Sequence, residues 1–226
     1  TFLIGLAFLS ICSFWQMYDN IIPLILQNTY HLGETMTGAV MALDNVLAIF
    51  LLPVFGMLSD KVHTKLGRRM PFIVVGTILA VIFMMMLPMI DNAEKARWVT
   101  GGSFSNQVFF LGVLFLTLVS MGLYRSPAVA LMPDVTPNHL RSRANAVINL
   151  MGAVGGVYAL IMIKVLVGKG ETPDYLPLFA SIAAVMAIAV GILVITIREN
   201  KLREEVEKAE AANADTCLLY TSPSPR

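Results

Sequence analysis

Residues 56–72 read GMLSDKVHTKLGRRMPF. Lys61, His63, Lys65, Arg68 and Arg69 fall within nine residues there, and long apolar runs lie on either side. The whole chain is 57% hydrophobic and 14% charged, with a mean hydropathy of +0.73. A soluble domain carries about 25% charged residues, so the composition points to a membrane and the basic stretch to a connector at its surface. The net charge of +1 says less than its distribution. Basic residues confined to short loops between apolar runs give no support for nucleic-acid binding.

Outward from this connector, the apolar pattern predicts six membrane spans. A hydrocarbon core of roughly 30 Å needs about 20 apolar residues in a helix. The stretches at about 2–27, 35–58, 71–90, 107–132, 144–167 and 176–197 qualify. Between them lie polar or breaker-rich connectors: TYHLGE, the basic run, DNAEKARWVTGGSFSN, PDVTPNHLRSR and GKGETPDY. The expected organisation is a six-helix transmembrane bundle over 1–197 and a charged linker helix over 198–214. The last segment, 215–226, is expected to be a non-native, adapter-like tail, because its Pro/Ser-rich character breaks with what precedes it. In the linker, Glu204 and Lys208 have the spacing of a helical ion pair.

Charge predicts sidedness. The loop at 59–70, the loop at 133–143 and residues 198–214 hold ten Lys/Arg, among them Arg141, Arg143, Arg198, Lys201 and Arg203. The opposite side holds four: Lys95, Arg97, Lys164 and Lys169. By the positive-inside rule the first group is cytoplasmic. Cys12 and Cys217 have no partner spacing for a disulfide framework or a metal site. The chain starts at Thr1 inside an apolar run without signal-peptide features, which reads as a truncated start.

Three ionisable residues fall inside the spans: Asp19, Asp44 and Arg125. Each costs roughly 2.5–3.5 kcal/mol near the bilayer centre, so each is a candidate functional group. Snorkelling of Arg125 and a wet vestibule beside the acids are the structural alternative. Two acids against one base leave a surplus negative charge, which suits proton or ion coupling. On span one, Ser13, Gln16, Asn20, Pro23 and Gln27 form a polar stripe at three- and four-residue steps. Pro23 frees the Asp19 carbonyl from its helical bond. Trp15 and Tyr18 stand near enough to offer aromatic surface to a sugar ring, or simply pack. Asn45 follows Asp44 directly. On span five, Asn145 and Asn149 share a face with Gly152 and Gly156, a GxxxG spacing that permits close helix approach. Those asparagines read equally well as packing or as pore lining. Thr136 offers an N-cap with Pro137 as first helical residue, and Asp134 a partner for Arg141 or Arg143.

The opening stretch then becomes specific. Gly56, Asp60, Lys61, Gly67, Arg68 and Arg69 resemble the signature loop between the second and third spans of the major facilitator superfamily. Its common form is shorter between the acid and the Gly-Arg-Arg. SDKVHTKLGRRMPF, PAVALMPDVTPNHLRSRANA and MALDNVLAIFLLPVFG resemble the glycoside–pentoside–hexuronide:cation symporters, especially the sucrose-type proton symporters. The resemblance covers residues 1–200. It implies an all-α membrane protein whose six transmembrane helices form one half of a twelve-helix fold, built as a 3+3 inverted repeat. It also implies a missing C-terminal six-helix half as partner. Asp60 would meet that half, while Arg68 and Arg69 would order the loop.

The function these readings imply is secondary active transport: symport of a sugar or glycoside with H⁺ or Na⁺ by alternating access. There is no other cofactor, and the location is the inner plasma membrane of a prokaryote. Asp19 or Asp44 would be the coupling carboxylate, reset by Arg125. Gln16, Asn20, Asn145 and Asn149 would bond sugar hydroxyls. Asp134 and Arg141 would join the gating loop. Two other readings carry a different cargo or class: a drug or small-solute exporter, and a complete six-span protein acting as a homodimer. A membrane enzyme lacks support, since no HExxH or GxSxG occurs and His31, His63 and His139 fall in connectors.

Overall fold

The computed structural model describes residues 2–62, 64, 67–98, 105–168, 173–197, 199–200, 202–206 and 208. They form six α-helices: α1 (Phe2–Asn28), α2 (Glu34–Lys61), α3 (Met70–Trp98), α4 (Ser105–Asp134), α5 (Arg141–Leu166) and α6 (Leu176–Thr196). A single 3-10 turn, Asn138–Leu140, precedes α5. All six α-helices are long and apolar enough to cross a membrane. The expected tail at 215–226 lies outside the described residues, as do His63 and Lys65 of the basic loop.

Two helix bounds depart from the reading of the sequence. The segment DNAEKARW, expected in a connector, continues α3 as far as Trp98. Its polar residues are held: Lys95 bonds Asp91 four residues back at 2.6 Å, and Thr29 donates to the same carboxylate at 2.6 Å. Pro137 is not the first helical residue, for the 3-10 turn starts at Asn138 and α5 at Arg141.

Apolar residues at three- and four-residue steps give each helix a buried face. On α1 these are Ile4, Ala7, Ile11, Phe14, Tyr18, Ile21 and Ile25; on α6 they are Leu178, Ile182, Met186 and Leu193. In a membrane these faces associate through close packing rather than through expulsion of water, so small residues decide which helices approach. The main pairs are α1 with α5 and α3 with α4, followed by α2 with α4, α3 with α6 and α1 with α6. Exchanging the first three helices for the last three turns α1–α5 into α4–α2 and α3–α4 into α6–α1, and leaves α3–α6 unchanged. The pairing thus has the pattern of a 3+3 repeat.

The glycines that set α1 against α5 are Gly152 and Gly155. A Cβ at Gly152 would lie 2.9 Å from Cys12 Sγ, and one at Gly155 would collide with the Leu9 carbonyl oxygen. Gly156, the second member of the expected GxxxG, instead faces Gln16 with ordinary clearance of 3.7 Å. The contact therefore uses a three-residue step, because the helices cross where Leu9 meets Gly155. Ser13, read as part of the polar stripe of span one, is buried in this same seam and donates to the Gly155 carbonyl at 2.9 Å. A second close approach places Gly76 of α3 against the Tyr124 backbone of α4, 2.7 Å from its nitrogen if a Cβ were added. Tyr124, fully buried, bonds Ser10 Oγ at 2.8 Å and ties α4 to α1.

Burial is one-sided. α2 keeps only Thr37 and Ser59 fully buried, while Ile49, Phe50, Val54 and Met57 are exposed. On α5, Leu150, Val157, Ile161 and Val165 are likewise exposed.

Candidate functional site

Midway along the bundle, α1, α2 and α4 bring Trp15, Asp44 and Arg125 to one cavity of about 20 Å³. The Arg125 guanidinium lies over the Trp15 ring, 5.4 Å from its centroid, a cation–π geometry. Asp44 accepts a bond from Asn45 Nδ2 at 3.0 Å. Among the described residues, Asp19, Asp44 and Arg125 form no ion pair. Asp19 lies one turn from Trp15 on the exposed side of α1, close enough to Asp44 for their charges to interact. Asn20 is exposed beside it and donates to the Gln16 carbonyl at 2.7 Å. Asn145 and Asn149 are exposed on α5.

The structure separates other members of the expected set. Tyr18 is almost wholly buried, stacked on Phe14 and edge-on to Trp15, so it offers no ring surface to a solute here. Its hydroxyl is buried without a partner among the described residues. Pro23 does not break α1, which stays helical through Asn28. Phe14, Trp15 and Tyr18 pack ring against ring along α1.

At one end of the bundle the basic loop is ordered around Arg69. Its guanidinium reaches Asp134 at the end of α4 at 2.5 Å, Asp60 near the end of α2 at 3.0 Å, and Ser59 Oγ at 3.3 Å. Arg68 lies 3.5 Å from Asp134. Arg69 is 7% exposed, so three partners satisfy a nearly buried charge, as burial of an ion demands. Asp134 was expected to pair with Arg141 or Arg143. Arg141 instead donates to the Pro133 carbonyl at 3.1 Å and to the Thr136 carbonyl at 3.3 Å. Those acceptors are free because the helix ends there, and the more deeply buried Arg69 takes the carboxylate. Lys61 is exposed at the end of α2. Gly56 faces Ser126 Oγ at 3.4 Å from a built Cβ, and Ser126 donates to the Leu52 carbonyl at 2.8 Å, joining α4 to α2.

Glu199 completes this end, and the sequence reading did not single it out. Its carboxylate, 1% exposed, accepts the backbone N–H groups of Arg68, Arg69 and Met70 at 3.0–3.2 Å. The first N–H groups of a helix have no partner within it and carry a partial positive charge, so Glu199 caps α3 from the far side of α6. Gly67 makes room. Its φ is +122°, and any Cβ would collide with the Glu199 carboxylate. Thr64 bonds back to Gly67 through Oγ1 at 2.6 Å and closes the turn. An acid just past an apolar span was a visible signal, but Glu199 shares its neighbourhood with Glu204 and Glu205 and nothing local distinguishes it.

At the opposite end, Lys95 bonds Asp91, donates to the Pro173 carbonyl at 2.7 Å, and lies 4.5 Å above the Tyr175 ring. Asn92 donates to Asp174 at 2.8 Å. The described ends thus fall into two groups. The segments expected on one side of the membrane, around Arg69, Asp134 and Glu199, meet each other, and so do those expected on the other.

The sequence profile described as Major Facilitator Superfamily matches residues 4–222. Among curated proteins, the chain is 25% identical over 151 residues to a sucrose transport protein of Oryza sativa subsp. japonica, covering 63% of this chain and 30% of that protein. It is 35% identical over 117 residues to a sucrose transport protein of Arabidopsis thaliana, covering 48% of this chain and 22% of that protein. A lactose permease of Klebsiella pneumoniae is 30% identical over 105 residues, 46% of this chain and 76% of that sequence. The chain therefore spans less than a third of the plant proteins' length.

Proposed function

We propose, from the premise that this chain belongs to the Major Facilitator Superfamily, that it is one half of a proton-coupled sugar symporter working by alternating access. It is a multi-pass membrane chain of a transport family and not an enzyme. The similarity to sucrose transport proteins and to a lactose permease supports a sugar or glycoside as cargo. A second six-helix half is the proposed partner for the apolar faces that α2 and α5 leave uncovered. The linker at 198–214 would lead towards that half. The Arg69 end is assigned to the cytoplasm of a prokaryotic inner membrane, where the excess of Lys/Arg would place it.

One observation carries the coupling assignment: Asp44 and Arg125 share a cavity without forming an ion pair. A guanidinium and a proton compete for the same carboxylate oxygens. Movement of α4 against α2 would therefore load and release a proton at Asp44. Asp19 would tune this site by its charge. Gln16, Asn20, Asn145 and Asn149 would present amides to sugar hydroxyls across the interface with the second half. The cluster of Asp60, Arg68, Arg69 and Asp134 would hold the inner ends together, with Gly56, Lys61, Gly67 and Arg141 shaping the loop around it.

The test is sugar uptake by the full-length transporter in proteoliposomes, driven by a pH gradient with and without Na⁺. Asp44→Asn should abolish accumulation against a gradient while leaving sugar exchange at equal concentrations. Accumulation that survives both Asp44→Asn and Asp19→Asn would sink the coupling assignment, and accumulation that needs Na⁺ rather than the pH gradient would replace the proton.

A further inference from the structure

Trp15, Asp44 and Arg125 line a partly open chamber of about 20 Å³ whose other walls include Leu51, Leu118 and Gly122. One water needs about 10–15 Å³ of such volume and two to four polar partners. The chamber admits one water and is too small for a sugar. The Trp15 indole N–H is buried and donates to no acceptor among the described residues. Arg125 brings five more donors, yet its described partner is the π face of that indole. Asp44 retains lone pairs beyond the one that Asn45 engages. Donors on one wall and an anionic acceptor on another call for a small molecule with both lone pairs and hydrogens. A metal cation would face the guanidinium, and a halide would face the carboxylate, so neither matches the lining.

We infer that one ordered water occupies this chamber, accepting from the Trp15 indole and the Arg125 guanidinium and donating to the Asp44 carboxylate. Resting on the reading of Asp44 as the coupling group, the water is also the last proton carrier. A proton arriving from outside binds the lone pair that faced the Trp15 indole, and that indole bond breaks. The water's O–H towards Asp44 gives up its proton to a carboxylate oxygen, so one O–H bond of the water forms as another breaks. Neutral water remains, beside a neutral acid and the unchanged guanidinium. Charge at the site is thus altered by one proton, delivered through the water, while the position of α4 against α2 sets whether Asp44 keeps it.

Gly122 is the place to test this. A Cβ there would meet the Leu51 side chain at 3.5 and 3.6 Å and Phe55 at 3.6 Å, all ordinary contacts, while its methyl would take up chamber volume. The probe is X-ray radiolysis of the chain in lipid nanodiscs in H₂¹⁸O, which oxidises side chains next to bound water. Trp15 should be labelled with ¹⁸O in the unmodified chain. Gly122→Ala should lower that labelling by about fivefold, since the remaining volume falls below one water, and Leu51→Ala should raise it. Buried Met84 and Met186 report on folding and should stay equally protected in all three. An unlabelled Trp15, or equal labelling in the unmodified chain and Gly122→Ala, overturns the water. Should Gly122→Ala misfold, Leu51→Ala decides alone, because labelling that does not rise there also overturns it. None of this requires transport, so uptake that survives Asp44→Asn defeats the coupling role and leaves the water standing.

Discussion

Glu199 and Gly67 occupy one space: the carboxylate that caps α3 sits where any side chain at position 67 would stand. The segment after α6 and the loop between α2 and α3 are thereby one structural unit, joined through a helix terminus. Glu199→Ala removes the acceptor of three backbone N–H groups, and loss of a cap costs about 1–2 kcal/mol. Hydrogen exchange at Arg68, Arg69 and Met70 should quicken by about tenfold for that loss, with α4 unaffected. Gly67→Ala should produce the same local loosening from the other side of the contact.

The glycines of the helix seams should separate sharply by position. Gly155→Ala and Gly76→Ala each drive a methyl into the backbone of a neighbouring helix. Overpacking of this kind costs about 1–3 kcal/mol or more, visible as a lower midpoint in thermal unfolding in detergent. Gly156→Ala meets only open contact with Gln16, and should be neutral or stabilising by about 0.4–1 kcal/mol through the unfolded chain. Equal damage from Gly155→Ala and Gly156→Ala would contradict the described crossing of α1 and α5.

Asp91 and Lys95 should show strong coupling. The Asp91 side chain is completely buried and carries bonds from both Lys95 and Thr29. Lys95→Met leaves that carboxylate without its cation, at about 3–5 kcal/mol for a broken buried pair. The double variant Asp91→Leu with Lys95→Met removes both charges and should be less destabilised than Lys95→Met alone. A double-mutant cycle on thermal stability measures the difference.

Asp174 predicts an acid limb in the stability of the α6 entrance. The bond from Asn92, followed by that from the Leu176 backbone N–H, holds its carboxyl below the ordinary value of 3.8. A group depressed in the folded state contributes stability that is present above its unfolded value and is lost as pH falls through the folded one. Stability at this end should therefore be level above about pH 5 and decline below about pH 4. Asp174→Asn should flatten that part of the decline in melting curves taken from about pH 5 down to about pH 3.

Much of this molecule could be read from its linear order. Long apolar runs separated by short polar connectors forced six spans, because a backbone in hydrocarbon must satisfy its own hydrogen bonds. The spacing of Gly56, Asp60, Gly67, Arg68 and Arg69 carried the family resemblance. The extension of α3 to Trp98 was not legible, since DNAEKARW is polar and its support comes from Thr29, Pro173 and Tyr175, all distant in sequence. Periodicity also misplaced Ser13 and Gly156, because a helical face tells which residues align but not which neighbour they meet.

Sequence alone therefore determined the number of spans, the grouping of their ends and the identity of the charged residues inside them. Partnership was decided only in three dimensions. Asp134 turned to Arg69 rather than to nearby Arg141, Glu199 became the cap of a helix more than a hundred residues earlier in the chain, and Asp44 came to share a chamber with Arg125 and Trp15. The physical reason is that hydropathy is a property of each segment and acts locally, whereas a buried charge or an orphaned N–H takes whichever partner the packing of other helices brings within about 3 Å.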